Sequence, residues 1–320
     1  MIDNKPFAMF FNASPRKGWN TYKMLESAKA GAEEAGATTE LVNLYDIKFP
    51  GCKSCFACKL KNAKTNGVCA IRDDLRPILE RARQADVLVL GSPIYFSYPT
   101  GVYRAFLERL AFPMYSYRYE DGAPCVCRDK VIETASIFTM NIPEKWLDEW
   151  KYPQVLESNT QTLKTVFGAS ESLYACDTYQ FTDYSRYDIT LFDEAAKRAH
   201  RDAQFPVDLA HARALGKRLV EKAMTHICRS RKGESPVQDF DCFAIRRRIS
   251  VRRMQVRENG PPPRRLLQER IPPRRAQQRE RPPPLRQAPG AIGNVRPPQI
   301  AGRRSCLAFP PEKAAIRSPP

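Results

Sequence analysis

Short apolar runs alternate with stretches of helical periodicity over the first 228 residues of the chain. The runs at 7–11, 87–90 and 137–140 are almost unbroken in apolar side chains, and those at 41–44 and 173–176 are weaker. Strands without strict alternation of polar and apolar positions are typical of a parallel sheet that helices cover on both faces. The five runs therefore predict five buried parallel strands.

Helical periodicity fills the intervals between these runs. The first predicted helix begins at Asn20, which we expect to be its N-cap, and Gly36 ends it. A second helix is predicted from Asp73 or Asp74 to about Ala85. Three more helices are predicted, one after Gly101, one that includes Trp146, Leu147 and Trp150, and one that carries Leu209, Ala212, Leu215 and Leu219. The alternation predicts an α/β fold with a doubly wound five-stranded parallel sheet, which binds ligands at the carboxyl ends of its strands.

The loop NASPRKGW, residues 12–19, joins the first predicted strand to the first predicted helix. Its backbone N–H groups and the positive end of the helix dipole suit an anion. Ser14 and Thr21 add hydroxyl donors. Asn20 adds an amide, and Arg16 a guanidinium that can hold phosphate at two oxygens. An ordinary strand-to-helix turn capped by Asn20 is the alternative.

Two phosphate-loop patterns are absent from this stretch. It has neither the Gly-Lys-Ser/Thr of a Walker loop nor the spaced glycines that admit a dinucleotide pyrophosphate. A single phosphate on a smaller cofactor therefore fits better. The second informative loop, GSPIYFSYPTG at 91–101, follows the third predicted strand and offers flat apolar surface that suits a conjugated ring. The alternative is a hydrophobic loop packed on a neighbouring segment or a second subunit.

Three stretches carry a family resemblance: SPRKGWNT, CKSCFACKLKNAKTNGVCAIRDDL and GSPIYFSYPTGVYRAFLERL. Together they resemble the flavodoxin-like NADPH-dependent FMN reductase family, including its iron-sulfur flavoprotein branch. The resemblance spans roughly residues 6–110, and residues 111–228 fit it only in their pattern of strands and helices. It implies a flavodoxin-like fold and a bound FMN.

The resemblance also implies where the flavin lies. The phosphate would sit in the first loop, at Ser14, Arg16, Asn20 and Thr21. The isoalloxazine ring would lie along the second loop, at Pro93, Ile94, Tyr95 and Phe96, with Met140 and Asn141 on a third side. Ala13 stands where the family often has glycine, which matters if that position needs a positive φ.

Proteins of this family pass electrons from a nicotinamide through flavin to a quinone, flavin or other small acceptor. The resemblance therefore implies an FMN-dependent NAD(P)H oxidoreductase in which the flavin carries the chemistry. We name no catalytic side chain, because the three histidines, His200, His211 and His226, fall near the last predicted helix. The alternative functions are an electron carrier of the iron-sulfur flavoprotein kind and a nucleic-acid binder.

Cys52, Cys55 and Cys58 recur every three residues, and Cys69 follows as a fourth. One compact loop can direct such thiolates to a common centre. The iron-sulfur branch begins in the same way, but its fourth cysteine usually follows sooner than the ten-residue gap seen here. A [4Fe-4S] cluster, a zinc site, and free thiols that pack a loop or dimer surface all stay open.

The segment 229–320 differs in composition from the rest of the chain. It holds 22 Lys and Arg residues against 7 Asp and Glu, and 16 of the 27 prolines. We expect a disordered basic tail after a folded domain at 1–228. Out-of-frame translation of a GC-rich gene is one explanation, and RNA binding by counterion release is another. The absence of Tyr and Trp from the tail argues against nucleic-acid binding.

The sequence also gives expectations about cellular location and oligomeric state. No apolar run approaches the roughly 20 residues needed to cross a bilayer, and the first residues do not resemble a secretory signal. We therefore expect a cytoplasmic protein without a membrane partner. We also expect a homodimer, because in similar proteins a partner subunit covers the exposed flavin.

Overall fold

The computed structural model describes residues 5–61, 65, 67–120 and 123–231. Its strands are β1 (Phe7–Asn12), β2 (Thr38–Asn43), β3 (Val87–Tyr95), β4 (Tyr98–Pro99), β5 (Tyr115–Glu120), β6 (Ala123–Val126), β7 (Glu133–Thr139) and β8 (Glu171–Ala175). Its α-helices are α1 (Asn20–Glu34), α2 (Arg76–Gln84), α3 (Gly101–Ala111), α4 (Tyr152–Phe167) and α5 (Glu194–Arg231).

Five strands form a parallel sheet in the order β2-β1-β3-β7-β8. This is the strand order of the flavodoxin-like doubly wound folds, so the predicted fold is confirmed. The short β4 is an addition that pairs antiparallel with the end of β3. Strands β5 and β6 form a separate hairpin, which the sequence pattern did not reveal. The strand order reverses between β1 and β3, so a ligand crevice is expected at their carboxyl ends.

Helices cover both faces of the sheet. Met9 and Phe11 of β1 pack in the core formed with α2, α3 and α4, whereas Ala8 and Phe10 pack in the core formed with α1 and α5. All four side chains are fully buried. Because every second side chain of the strand enters a different core, both positions must be apolar. This explains the unbroken apolar run that predicted the strand.

One predicted helix is wrong. Trp146 ends a short 3-10 turn, Glu144–Trp146, and α4 begins only at Tyr152. The rings of Trp146 and Trp150 stack with their centroids 5.1 Å apart. The four-residue spacing of these aromatic residues, which suggested helical periodicity, therefore reflects a stacked pair that precedes the helix.

The last helix is longer than the sequence pattern suggested. It extends to Arg231, past the predicted domain end at Cys228. The remainder of the predicted basic tail, 232–320, lies outside the described residues. None of the helices in the described part of the chain is long and apolar enough to cross a membrane.

Helices α1 and α5 approach each other at backbone distance. A Cβ atom placed on Gly216 would lie 1.8 Å from the carbonyl oxygen of Ala28, and one on Gly31 would lie 1.9 Å from that of Arg213. Only glycine permits such an approach. The contact fixes α1, and with it the loop that enters α1, against the longest helix of the fold.

Arg109 of α3 fastens the long connection between β2 and α2. Its side chain is fully buried, and its guanidinium donates to both carboxylate oxygens of Asp73, at 2.7 and 2.9 Å. It also donates to the Cys69 thiol at 3.1 Å and to the Pro50 carbonyl at 3.1 Å. Hydrogen bonds from Arg109 lower the pKa of Asp73. The pair therefore stabilises the fold at neutral pH, and this contribution is lost as the pH falls through the lowered pKa.

We expect Arg109→Met to lower the free energy of unfolding by about 3–5 kcal/mol, because Asp73 loses the partner of a buried ion pair. Arg104→Met is the matched control on the same helix, since Arg104 forms a largely exposed pair with Glu108. It should cost less than about 1 kcal/mol. Urea unfolding followed by circular dichroism measures both values, and equally small losses would contradict this role of Arg109.

Candidate functional site

The loop after β1 is shaped by its own side chains. Asn12 donates to the Asn43 side chain of β2 at 3.0 Å and accepts from the backbone N–H of Ser14 at 3.1 Å. The Ser14 hydroxyl accepts from the backbone N–H of Arg16 at 3.1 Å. Gly18 adopts a positive φ of 73°, which suits glycine. These features turn the chain from the end of β1 into α1.

Helix α1 begins without a capping side chain. Trp19 is the N-cap residue and makes no side-chain cap bond, so the prediction that Asn20 caps the helix is wrong. The Asn20 amide instead donates to the Tyr179 carbonyl at 2.9 Å. The first N–H groups of a helix have no partner inside the helix and need one from elsewhere. The start of α1 therefore keeps its capacity to bind an anion.

Arg16 lies beside this helix start. Its guanidinium stacks 3.4 Å from the centroid of the Trp19 ring, and one of its N–H groups donates to the Gln180 carbonyl at 2.6 Å. Burial lowers the pKa of Arg16. Because a guanidinium stays protonated under ordinary conditions and has five N–H donors, Arg16 retains a positive charge and further donors for an anion.

A cavity of about 110 Å³ opens next to this loop, between the carboxyl ends of β1, β3 and β7. Its described lining consists of Ser14, Arg16, Trp19, Asn20, Thr21, Pro93, Ile94, Tyr95, Thr139, Met140, Asn141, Thr178 and Gln180. The structure thus brings seven of the eight predicted cofactor-binding residues, together with Met140 and Asn141, to one cavity. The phosphate-loop side chains and the apolar second loop form different walls.

Phe96 is the predicted residue that the structure places apart from the described lining. Phe96 and Ser97 adopt positive φ values of 49° and 69°, the two-residue turn of a hairpin between β3 and β4. Phe96 is 99% exposed at the tip of this hairpin, and Tyr95 and Tyr98 beside it are also exposed. The hairpin therefore displays an aromatic edge next to the cavity.

The second loop is fastened to the first by buried hydrogen bonds. Thr100 donates from its hydroxyl to the Ala13 carbonyl at 2.9 Å, and the Ala13 N–H donates to the Gly91 carbonyl at 2.8 Å. Ala13 is buried and does not adopt a positive φ. The alanine at this position therefore causes no backbone strain. The two loops keep a fixed separation, as a site with two walls requires.

Sequence reasoning missed four lining residues: Trp19, Thr139, Thr178 and Gln180. Thr21 and Thr139 share a buried hydrogen bond of 2.7 Å between their hydroxyls, which joins α1 to β7. Thr178 and Gln180 follow β8. Their position at the carboxyl edge was a usable signal, because parallel strands end at the same edge of a sheet.

The four cysteines of the predicted cluster have different environments. Cys55 is exposed, Cys52 and Cys58 are half-buried, and Cys69 is buried and accepts the hydrogen bond from Arg109. Burial raises the pKa of Cys58, which disfavours the thiolate form that binds metals. Within the described ranges, no three His, Cys, Asp or Glu side chains are grouped so that they can hold a metal ion. The metal site at these cysteines therefore stays a prediction from sequence.

Comparisons with known proteins bear on the same part of the chain. An iron-sulfur flavoprotein of Archaeoglobus fulgidus is 34% identical over 98 residues, which are 31% of this chain and 45% of that protein. An iron-sulfur flavoprotein of Methanocaldococcus jannaschii is 33% identical over 98 residues, 31% of this chain and 48% of that protein. The chain thus spans about half the length of the curated relatives it matches.

A solved structure supports the fold. The NAD(P)H:quinone oxidoreductase from Methanothermobacter marburgensis superposes with a TM-score of 0.50 at 17% identity, over 67% of this chain and 99% of that one. The family model described as NADPH-dependent FMN reductase matches residues 8–127, which include both loops and all four predicted cluster cysteines. Residues 8–127 of the chain are therefore similar to the NADPH-dependent FMN reductase family.

Proposed function

We propose that the protein is a flavin-dependent oxidoreductase that binds FMN in the cavity at the carboxyl edge of the sheet. The observation that carries the proposal is the uncapped start of α1, which lies beside a cavity that also has an apolar wall formed by Pro93, Ile94 and Tyr95. Anion-binding N–H groups and a separate apolar wall match a molecule with a phosphate and a conjugated ring. The family whose model matches residues 8–127 is named for the same cofactor.

The phosphate end would be formed by residues of the first loop. Arg16 offers charge and N–H groups, and the start of α1 offers backbone N–H groups. Ser14 and Thr21 are almost fully buried at the cavity wall, so their hydroxyls mainly fix the shape of the loop.

The ring end would be formed by Pro93, Ile94 and Tyr95 on one side and by Met140 and Asn141 on another. When bound, FMN supplies the redox chemistry, and the protein binds and orients it. Arg16 and Tyr95 are the ionisable side chains in the described lining, and burial raises the pKa of Tyr95. Neither titrates near neutral pH, which agrees with a site that lacks an acid–base side chain.

The same proposal includes a nicotinamide donor, a small acceptor such as a quinone, and a homodimer. The family name supports NADPH as the donor. The exposed aromatic edge at Tyr95, Phe96 and Tyr98 supports a second subunit, because a contiguous exposed apolar surface is typical of an interaction site.

The rival function is that of an electron carrier. The names of the similar iron-sulfur flavoproteins support this rival. The arrangement of the cysteine side chains gives that rival no support.

We expect Arg16→Ala to weaken FMN binding by about 10- to 100-fold, the effect of losing a hydrogen bond from a charged donor. Riboflavin, which has no phosphate, should bind equally well to the variant and the parent protein. Lys17→Ala is the matched control, because Lys17 in the same loop is bound at 2.7 Å to Asp46. Titration by flavin fluorescence measures each Kd. An equal loss for FMN and riboflavin would contradict a phosphate site at Arg16.

The reaction is tested by steady-state turnover. Without oxygen, and with catalytic FMN and a quinone present, the full-length protein should oxidise NADPH continuously, and omission of either FMN or quinone should reduce the rate to background. An electron carrier would instead reduce the quinone only when a reduced protein donor is supplied. Absorbance at 340 nm follows NADPH, and a rate independent of FMN would contradict the proposed function.

A further inference from the structure

Lys197, in the first turn of α5, is a buried lysine close to the cavity. Its side chain is 3% exposed. Its ammonium donates to the Asn141 side-chain oxygen at 2.5 Å, to the Asn141 backbone carbonyl, and to the Asp177 carboxylate at 2.5 Å. An ammonium has three N–H donors, so all of them are used. The ammonium therefore donates to these two residues and not to solvent.

The two residues that Lys197 contacts lie in adjacent loops at the carboxyl edge. Asn141 follows β7 and lines the cavity, and Asp177 follows β8. The loops also bond to each other, since the Asp177 N–H donates to the Ile142 carbonyl at 2.7 Å and Thr178 donates twice to the Met140 carbonyl at 3.0 Å. Lys197 thus links the third wall of the cavity to α5.

The contact with Lys197 also fixes the orientation of the Asn141 amide. An ammonium only donates hydrogen bonds, so the atom that faces it must be the amide oxygen. The NH₂ group is thereby turned away from Lys197, at a residue that lines the cavity. When a ligand fills the cavity, this NH₂ group can donate to an acceptor of that ligand. An isoalloxazine ring carries carbonyl oxygens and ring nitrogens that accept hydrogen bonds.

We propose that Lys197 is a positioning residue for the ring end of the flavin site, because it holds the Asn141 amide with its NH₂ group toward the ring. This inference rests on the proposed function. Lys197 acts through Asn141 and does not touch the flavin. Through Asn141 its influence falls on the ring, whereas its partner Asp177 belongs to the loop whose Tyr179 and Gln180 carbonyls accept from Asn20 and Arg16.

The test compares FMN and riboflavin binding to Lys197→Met in the full chain. Because the ring is common to both molecules, both Kd values should rise by the same factor, about tenfold for one hydrogen bond. The near-ultraviolet absorption band of the bound flavin should also move toward that of free flavin. The control is Lys130→Met, since Lys130 pairs with Asp86 at 2.6 Å away from the cavity lining. It should leave both Kd values unchanged.

A second variant covers the case in which Lys197→Met fails to fold. Asn141→Asp keeps an oxygen for Lys197 but removes the NH₂ donor. It should therefore raise the Kd of FMN and the Kd of riboflavin by the same factor of about ten. In the double variant the two losses should not add, because they remove the same interaction.

Three results would overturn the inference. The Kd values of both flavins could be unchanged in Asn141→Asp, they could be unchanged in folded Lys197→Met, or only the affinity for FMN could fall. Each of these leaves the proposed function intact if the parent protein binds FMN. Failure of the parent protein to bind either flavin would overturn the proposed function together with this inference.

Discussion

The site depends on one unsatisfied feature of the backbone, the start of helix α1. The chain leaves β1 through a turn closed by Asn12 and Ser14, and α1 then begins at Asn20, after the N-cap residue Trp19, without a capping side chain. Uncapped N–H groups carry a free-energy cost unless water or a ligand satisfies them. The Asn20 side chain at this helix start donates instead to the Tyr179 carbonyl. The backbone is thus left for an anion.

The rest of the fold holds this helix start in position. Gly91 lies directly beneath α1, since a Cβ atom there would come within 2.6 Å of Leu25. On the other side, the close approach of Gly31 and Gly216 brings α1 against α5. Helix α5 also carries Lys197, which holds the loops after β7 and β8. The same two helices therefore position the phosphate end and the third wall of the cavity.

The sequence predicted those parts of the site that depend on local connections. Ser14 and Arg16 follow a strand directly, and Pro93 to Tyr95 belong to the end of another, so the strand order alone brings them together. What it missed depends on tertiary contacts. Asn20 is a residue type that often caps helices, but its amide donates to a carbonyl far along the chain.

The cysteine stretch shows the same limit of sequence reasoning. The spacing of the cysteines is compatible with a common metal centre, but spacing does not show which other side chains compete for the thiols. In the folded chain, the buried Arg109 donates to Cys69 and binds Asp73. An ion pair that the spacing cannot reveal therefore sets the environment of the fourth cysteine.

The most direct test of the account is the phosphorus-31 magnetic resonance signal of FMN bound to the full-length protein, recorded between pH 5 and pH 8. The dianionic phosphate of a free monoester takes up one proton with a pKa near 6, so its signal moves across this range. Backbone N–H groups and Arg16 would favour the dianion and lower that pKa. We therefore expect the bound signal to stay constant. A bound signal that titrates with the same midpoint as free FMN would contradict the placement of the phosphate at the start of α1.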